Sequence, residues 1–399
     1  MSASALFPLL YGPISPQDDE VAWLRYLWLP VYAAAVLLSA WNWRDLRNSA
    51  LAFTPYLALL ALAGASAAWS MDPQITVRRF EALVFNGLFS LYLAARFSWG
   101  EMVRMIAAAL FILALGSLGM CLAFPGIGIQ SDINAGAWRG LWPQKNELGF
   151  MMAIGALSSL ASAVIDPPRR LLWLFSAAFC CPLLVLSRSG TSLLCLMSSA
   201  SLLAAFVLSK KRPVVAVIVT FVAGCFALVL AAVVMLDSDL FFQAMGKDPT
   251  LSGRTDVWTA VMRRAAERPA LGYGYAAFWR DRSGPALLVR RETGWDVPSA
   301  HNAWLEILLQ LGWVGVVTTA AYVALTAFAA VRGLFSRADG FWAILYSGSF
   351  LMLSFSESDI LRQNSLEWIL LVATSTKLVA DLARRPRAAT ARLAVVRTA

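Results

Sequence analysis

Long apolar stretches recur along almost the whole chain and constrain its fold more than any other feature. Most are about 17 to 25 residues long, the length that an α-helix needs to cross a bilayer. Only helices and closed barrels satisfy their own backbone hydrogen bonds there, so we expect an all-α polytopic membrane protein with about 11 to 12 transmembrane helices. Eleven spans are predicted, at residues 22–41, 51–69, 80–96, 105–124, 148–165, 171–186, 191–209, 213–236, 302–331, 341–356 and 366–382.

The composition excludes a soluble or disordered chain. Of the 399 residues, 59% are hydrophobic and 14% are charged, against roughly 45–50% and about 25% in soluble domains. The net charge of +9 comes from Lys and Arg in short clusters between apolar stretches, which is typical of membrane topology signals. We therefore expect the lipid bilayer as a partner and no nucleic acid.

The cysteines and the single histidine narrow the chemistry. All five cysteines lie inside apolar stretches, where thiols behave as small buried hydrophobic groups. With one histidine, His301, and no Cys-x-x-Cys pair, a zinc or transition-metal site cannot be assembled. We expect no metal and no cofactor, although a carboxylate site for magnesium stays open.

The basic clusters also predict the topology, because Lys and Arg resist translocation across the membrane. Their alternation places the N-terminus outside. Residues 1–236 are then transmembrane helices 1 to 8, 237–301 an outer loop with amphipathic helices, 302–382 helices 9 to 11, and 383–399 a flexible inner tail.

A surplus of basic residues falls on the predicted outer side, and nearly all of them are arginine. Arginine is suited to bidentate phosphate contacts, so we expect a site for an anionic, phosphate-bearing substrate. The alternative is that outer-leaflet phosphates and loop carboxylates satisfy each arginine. The set is Arg78, Arg79, Arg139, Lys145, Arg188, Arg254, Arg263, Arg264, Arg268, Arg280, Arg282, Arg290, Arg291 and Arg362.

One amphipathic helix is predicted inside the long loop, capped by Ser252 and ending before Pro269. Arg254 lies in its first turn, where the helix dipole disfavours a cation. A ligand anion would compensate that charge; plain solvation of Arg254 is the alternative. The positions at helical spacing are Trp258, Val261, Met262 and Ala265.

The run Gly272-Tyr273-Gly274-Tyr275-Ala276-Ala277 matches the dinucleotide-binding pattern by its letters only. No apolar strand precedes it, so we exclude a Rossmann site. The glycines favour a tight turn that approaches a sugar or a phosphate, with the tyrosine faces packing on it. Tyr275 is therefore a candidate donor-binding residue.

His301 opens the ninth predicted span, in the run Ser299-Ala300-His301-Asn302-Ala303-Trp304-Leu305-Glu306. A helix N-terminus disfavours the protonated imidazole, which keeps the ring able to accept a proton near neutral pH. Asn302 and Glu306 lie four residues apart on one helix face. Glu306 would orient its neighbours or accept a hydrogen bond from the imidazole; helix-to-helix bonding is the alternative.

Several motifs in this order resemble the O-antigen ligase and exopolysaccharide polymerase superfamily of bacterial envelopes. The resemblance covers about residues 125–315 by motif and the remainder by topology. One departure is Gln144, where related sequences carry His before the Lys-Asn pair. The motifs are Gly136-Ala137-Trp138-Arg139-Gly140, Lys145-Asn146-Glu147-Leu148-Gly149, Ser187-Arg188-Ser189-Gly190-Thr191, Ser252-Gly253-Arg254-Thr255-Asp256, Gly272-Tyr273-Gly274-Tyr275 and His301-Asn302.

The resemblance implies a glycosyltransferase of the lipid-phosphosugar type in the bacterial inner membrane, with its active site facing the periplasm. The donor would be a glycan on undecaprenyl diphosphate. By this resemblance His301 is the catalytic base, and Arg188 and Arg254 bind the diphosphate, with Arg139 and Lys145 as weaker candidates.

The expected activity is metal-independent, inverting transfer of the glycan to an acceptor sugar hydroxyl, as an exopolysaccharide or O-antigen polymerase. An O-antigen ligase that uses the lipid A core as acceptor is the main alternative. A flippase for the same lipid is a weaker one, because no inverted repeats are visible, and an intramembrane serine protease is weaker still. The resemblance also leaves room for a chain-length regulator as a partner.

Overall fold

A computed structural model describes residues 26, 28–131, 134–209, 254–280, 284–334 and 340–383. Beyond one bridge between Ile129 and Trp138, these residues form no β-structure. They contain twelve α-helices longer than one turn: α1 Leu29–Trp41, α2 Trp43–Ala65, α3 Pro73–Arg96, α4 Trp99–Ala123, α5 Lys145–Ile165, α6 Arg170–Leu186, α7 Gly190–Ser209, α8 Arg254–Glu267, α9 Pro285–Thr293, α10 Ala303–Leu334, α11 Phe341–Ser354 and α12 Leu366–Ala383.

The predicted fold class, an all-α polytopic membrane protein, is confirmed. Ten of the eleven predicted spans coincide with helices, namely α1 to α7 and α10 to α12. Among the described residues, six helices are long and apolar enough to cross a membrane (α2, α4, α5, α6, α7 and α10), and α1 and α11 are shorter apolar helices. The predicted span 213–236, the loop residues 237–253 and the tail 384–399 lie outside the described residues.

The helix ends that the basic clusters assign to one side also meet in space. At the predicted outer end, Trp69 Nε1 donates to Leu271 O (2.9 Å) and Tyr32 donates to Asn364 Oδ1 (2.9 Å). At the opposite end, Trp99 Nε1 donates to Asp381 Oδ2 (3.0 Å). Helix ends that the basic clusters assign to the same side of the membrane therefore contact one another.

Helix α5 lies at the centre of the bundle. It packs against α4, α6, α7 and α11, and from Leu148 to Ser159 every residue is buried. Small residues allow this close packing, since a Cβ on Gly155 would lie 3.2 Å from both Leu110 Cβ and Cys180 Sγ. Polar pairs such as Ser159 and Ser176, whose hydroxyls are 2.8 Å apart, tie α5 to its neighbours.

Helix α10 is broken at Gly312, whose φ of 62° and ψ of −163° interrupt the helical ladder. The freed carbonyls of Leu309 and Gln310 accept hydrogen bonds from the amides of Tyr273 (2.8 Å) and Gly274 (2.9 Å). Beyond the break, the Trp313 amide donates to Pro269 O (2.8 Å). A chain segment from the predicted loop thus caps both halves of a membrane helix.

The same contacts give a packing reason for the two glycines in the Gly-Tyr-Gly-Tyr run. A Cβ on Gly272 would lie 2.5 Å from Leu309 O, and one on Gly274 would lie 2.4 Å from Ser70 Oγ. The glycines allow the backbone to approach the broken helix and the turn before α3.

We predict that Gly312→Ala destabilises the protein by at least about 3 kcal/mol, because only glycine adopts this backbone conformation readily. A Cβ there would also lie 2.2 Å from Ala270 O. Gly348→Ala is the matched control, since its helical position on α11 has open space around a Cβ. Thermal unfolding of both purified variants in detergent measures the difference, and equal midpoints would contradict the role given to the break.

Candidate active site

Five segments that are far apart in the sequence meet at the predicted outer end of the bundle. They are the N-terminus of α5, the turn between α6 and α7, the first turn of α8, the turn before α10 and the connection between α11 and α12. Four of the five carry residues that the motifs predicted as functional. The structure therefore gathers the motifs into one place.

Glu357, in the connection between α11 and α12, holds this site together. Its Oε1 accepts hydrogen bonds from Asn146 Nδ2 (2.8 Å) and Arg254 Nη2 (3.2 Å). Its Oε2 lies 3.7 Å from His301 Nδ1. We call Asn146, Arg254, His301 and Glu357 the Glu357 cluster.

The charges of the cluster suit an ionised carboxylate. Burial raises the pKa of Glu357, but the His301 imidazole, the Arg254 guanidinium and the Asn146 amide outweigh burial and hold that pKa below its usual value. The compensating anion beside Arg254 is therefore Glu357, whereas the sequence suggested a ligand anion or solvent.

His301 is held in a strained and partly shielded position. Its φ is 47°, in the left-handed region that L-residues rarely adopt. Its Nδ1 is buried and makes no hydrogen bond to a described residue. Nδ1 faces Glu357 Oε2 at 3.7 Å, so Glu357 lies nearest this nitrogen of the ring. Strain of this kind is typical of functional positions.

Asn302 starts α10. Its Oδ1 accepts hydrogen bonds from the amides of Trp304 (3.0 Å) and Leu305 (3.2 Å), as an N-cap residue does. Its Nδ2 donates to Phe355 O (3.3 Å). Asn302 thus joins the His301 turn to the connection that carries Glu357, and His301 does precede a helix N-terminus, as predicted.

Glu306 orients its neighbours, the first of the two roles considered for it, and does not accept from the imidazole. Its buried carboxylate accepts hydrogen bonds from Trp279 Nε1 (2.8 and 3.0 Å), the Ala300 amide (2.9 Å) and Gln310 Nε2 (2.8 Å). The Ala300 bond fixes the backbone immediately before His301. Glu306 is a positioning residue for that turn.

Arg188 and Lys145 lie side by side. Lys145 Nζ donates to the backbone carbonyl of Arg188 (3.3 Å), and Arg188 Nη1 donates to Ala135 O (3.2 Å). Arg188 is exposed, has a φ of 52° and forms no ion pair with a described residue. Gly149 permits this contact between the motifs, since its Cβ would lie 2.6 Å from Ser189 Cβ.

Arg139 and Tyr275 have contacts that favour structural roles. Arg139 Nε donates to Ile127 O (2.6 Å), which closes the loop after α4. Tyr275 is 1% exposed, and its hydroxyl donates to Leu361 O (2.6 Å). The structure places the Tyr275 hydroxyl in the interior, so the donor-binding role predicted for Tyr275 has no support in its contacts.

The acidic residues Glu357 and Asp359, in the connection between α11 and α12, were missed, although their signal was in the sequence. Arg362 donates to Glu147 Oε1 (2.6 Å) and Asp359 Oδ1 (2.9 Å), which ties this connection to the N-terminus of α5. Burial, together with the charge of Glu367, raises the pKa of Asp359 despite the opposing Arg362. A short outer connection that contains Glu357, Asp359 and Arg362 is unusually rich in charge.

Loop carboxylates satisfy several of the outer arginines, which was the alternative explanation for that set. Arg263 pairs with Glu292 (3.1 Å), and Arg264 pairs with Glu267 (2.6 Å). Arg290 pairs with Asp296 at 2.7 Å. The surplus of arginine is thus not by itself the mark of a phosphate site, and Arg188 and Arg254 stand apart by their position in or beside the cluster.

Helix α8 carries Arg254 and lies over the membrane domain, as predicted. Val257, Val261 and Ala265 form its buried face together with Ala260. Met262, which was assigned to that face, is 48% exposed. Ser252, its predicted cap, lies outside the described residues, as does Arg282.

Fold and site together define a polytopic membrane protein with a charged site at one end of its helices, and sequence comparisons show which known proteins it resembles. A family profile described as "O-Antigen ligase" matches residues 173–320. The chain is also 28% identical over 412 residues to the "Exopolysaccharide production protein ExoQ" of Rhizobium meliloti (strain 1021), covering 97% of this chain and 89% of that protein. Both comparisons support the resemblance to the O-antigen ligase and exopolysaccharide polymerase superfamily.

We predict that Glu357→Gln lowers glycan transfer by about 10²-fold. Glutamine still accepts from Asn146, but Arg254 and a protonated His301 lose their counter-charge. Glu292→Gln is the matched control, because Glu292 pairs with Arg263 and Arg264 away from the cluster. Product formation from lipid-linked glycan by each purified variant measures the effect, and equal rates for Glu357→Gln and the native protein would contradict it.

Proposed function

We propose that this protein transfers a glycan from undecaprenyl diphosphate to an acceptor sugar hydroxyl, with inversion and without a metal, as an exopolysaccharide or O-antigen polymerase. The observation that carries the proposal is the single imidazole beside Arg254, both within reach of the carboxylate of Glu357. The domain division given above and a chain-length regulator as partner belong to the same proposal. The proposed location of the Glu357 cluster is the periplasmic side of the inner membrane.

The proposed reaction breaks the bond between the anomeric carbon and the diphosphate oxygen and forms one from the acceptor oxygen to that carbon. His301 Nε2 takes the proton of the acceptor hydroxyl, and undecaprenyl diphosphate leaves with the electron pair. Direct displacement inverts the anomeric centre. A positioned base contributes roughly 10² to 10⁴ in rate, and the Glu357 carboxylate stabilises the imidazolium that forms.

The departing diphosphate gains negative charge, which arginine stabilises well because its guanidinium has five donors. Arg254 uses one Nη2 contact on Glu357, which leaves other donors for a phosphate oxygen. Arg188 is exposed on the neighbouring turn, with Lys145 beside it. Electrostatic donors of this kind contribute on the order of 3 kcal/mol each.

The polymerase activity is favoured over ligation by one comparison. The relative from Rhizobium meliloti is named an exopolysaccharide production protein, and the match extends over nearly the whole chain. Ligation to the lipid A core uses the same chemistry with another acceptor, so it stays the alternative. A flippase would not need a base beside the diphosphate-binding residues.

We predict that His301→Ala lowers transfer by about 10² to 10⁴-fold, because the acceptor proton then has no base. Arg254→Ala should lower it by about 10²-fold. Arg263→Ala, an outer arginine with a 62% exposed side chain, is the matched control and should keep the native rate. The assay uses purified protein with lipid-linked glycan and excess EDTA. Normal rates for His301→Ala would refute the proposal, and loss of native activity in EDTA would refute metal independence.

Deletion of the gene distinguishes the two acceptors. If the protein is a polymerase, we expect the deletion strain to lose long free polysaccharide from its envelope glycans, separated on a gel, and to keep lipopolysaccharide with single repeat units. Selective loss of the ladder attached to lipopolysaccharide would instead identify a ligase.

A further inference from the structure

Trp295 lies beside His301 with a large part of its indole open. Its ring centroid is 6.4 Å from that of the imidazole, and the two planes are within 26° of parallel. The residue is 38% exposed, whereas His301 has a side-chain exposure of 14%. A large aromatic face is thus presented at the edge of the cluster, on a residue that the mechanism above does not use.

The loop that carries Trp295 is held firmly. Gly294, with a φ of 75°, ends α9 and turns the chain toward His301. Arg290 then clamps the loop, since its Nε lies 2.7 Å from Asp296 Oδ1 and its Nη2 donates to Trp279 O (2.5 Å). Val297 and Ala300 are fully buried on either side of the turn. The indole is therefore pre-positioned, which lowers the entropy cost of binding against it.

One cleft beside the cluster is too small for a sugar. The cleft that Asn146, Phe150, Glu357 and Asp359 help to line has a cavity volume of about 10 Å³. That volume suits roughly one water molecule. An acceptor sugar does not fit this cleft, whereas the exposed indole of Trp295 lies directly beside the His301 ring.

The chemistry of this flank suits a sugar. A pyranose ring has apolar C–H faces and a rim of hydroxyl groups, so it binds well where an aromatic face adjoins hydrogen-bond acceptors. Asp296, the neighbour of Trp295, has a side chain that is 49% exposed, and its carboxylate only accepts hydrogen bonds. An exposed indole and, on the next residue, a partly exposed carboxylate provide both kinds of contact.

We propose that Trp295 and Asp296 form the acceptor-sugar site, in which the indole stacks on the pyranose whose hydroxyl faces His301 Nε2. This acceptor site rests on the proposed glycan transfer. It places the two substrates on different sides of His301. The anionic donor lies on the side of Arg254 and Arg188, and the neutral acceptor ring lies on the side of Trp295.

The test uses the purified full-length protein in nanodiscs. The donor is the lipid-linked repeat unit from the producing cell. The acceptor probe is the same repeat unit, released from its lipid diphosphate and labelled with a fluorophore, so that it serves only as acceptor. Trp295→Ala should raise the KM for this acceptor about tenfold, with the donor KM and the kcat at saturating acceptor within about twofold of native.

Two further variants make the result specific. Trp295→Phe keeps an aromatic face and should recover most of the acceptor affinity. Trp313→Ala removes another exposed indole, 55% exposed and further along α10, and should leave the acceptor KM unchanged. A lower kcat with an unchanged acceptor KM in Trp295→Ala would overturn the proposal, because Trp295 would then act only by shaping the His301 ring.

Direct binding keeps this inference separate from the proposed function. Fluorescence polarisation of the labelled glycan without donor requires no turnover, and weaker binding to Trp295→Ala than to the native protein is the expected result. Equal binding would overturn the acceptor site even if transfer is observed. Absence of transfer by the native protein would refute the proposed function while leaving the binding result to decide on Trp295.

Discussion

One carboxylate joins the elements of the candidate site. Glu357 accepts hydrogen bonds from α5 and α8 and lies against the turn before α10. A buried charge is costly unless it is paired and hydrogen-bonded. The low-energy arrangement of Glu357 therefore exists only when Asn146, Arg254 and His301 are in place together. The carboxylate thus fixes the position of the His301 imidazole relative to the Arg254 guanidinium.

Around this carboxylate, packing maintains backbone conformations that would otherwise be unfavourable. His301 and Arg188 both have positive φ values. The bond from the Ala300 amide to Glu306 supports the first. The close approach of Gly149 to Ser187 and Ser189 supports the second. Rigid support of this kind is what a site needs to hold reactive groups in a fixed geometry.

The membrane helices were predictable because a helix that crosses a bilayer needs about 20 consecutive, mostly apolar residues, and a single sequence shows such stretches directly. The start of α10 was predictable from the apolar span that follows His301, and the end of α8 from Pro269. The motifs around Arg188, Arg254 and His301 do converge. Glu357 was missed because its partners are distant in sequence, with Asn146 separated from it by 211 positions. The contacts of Gly272 and Gly274 were not predictable from their spacing, since glycine permits close approach to a helix as readily as to a ligand.

The proposed placement of the donor can be observed directly in an electron cryomicroscopy structure of the protein in nanodiscs with a non-transferable phosphonate analogue of the lipid-linked donor. We expect phosphorus-bound oxygens within hydrogen-bond distance of Arg254 and Arg188, and His301 Nε2 facing the anomeric carbon from the side opposite the diphosphate. A diphosphate bound at the other end of the helices, or an anomeric carbon beyond the reach of His301 and one bridging hydroxyl, would contradict it.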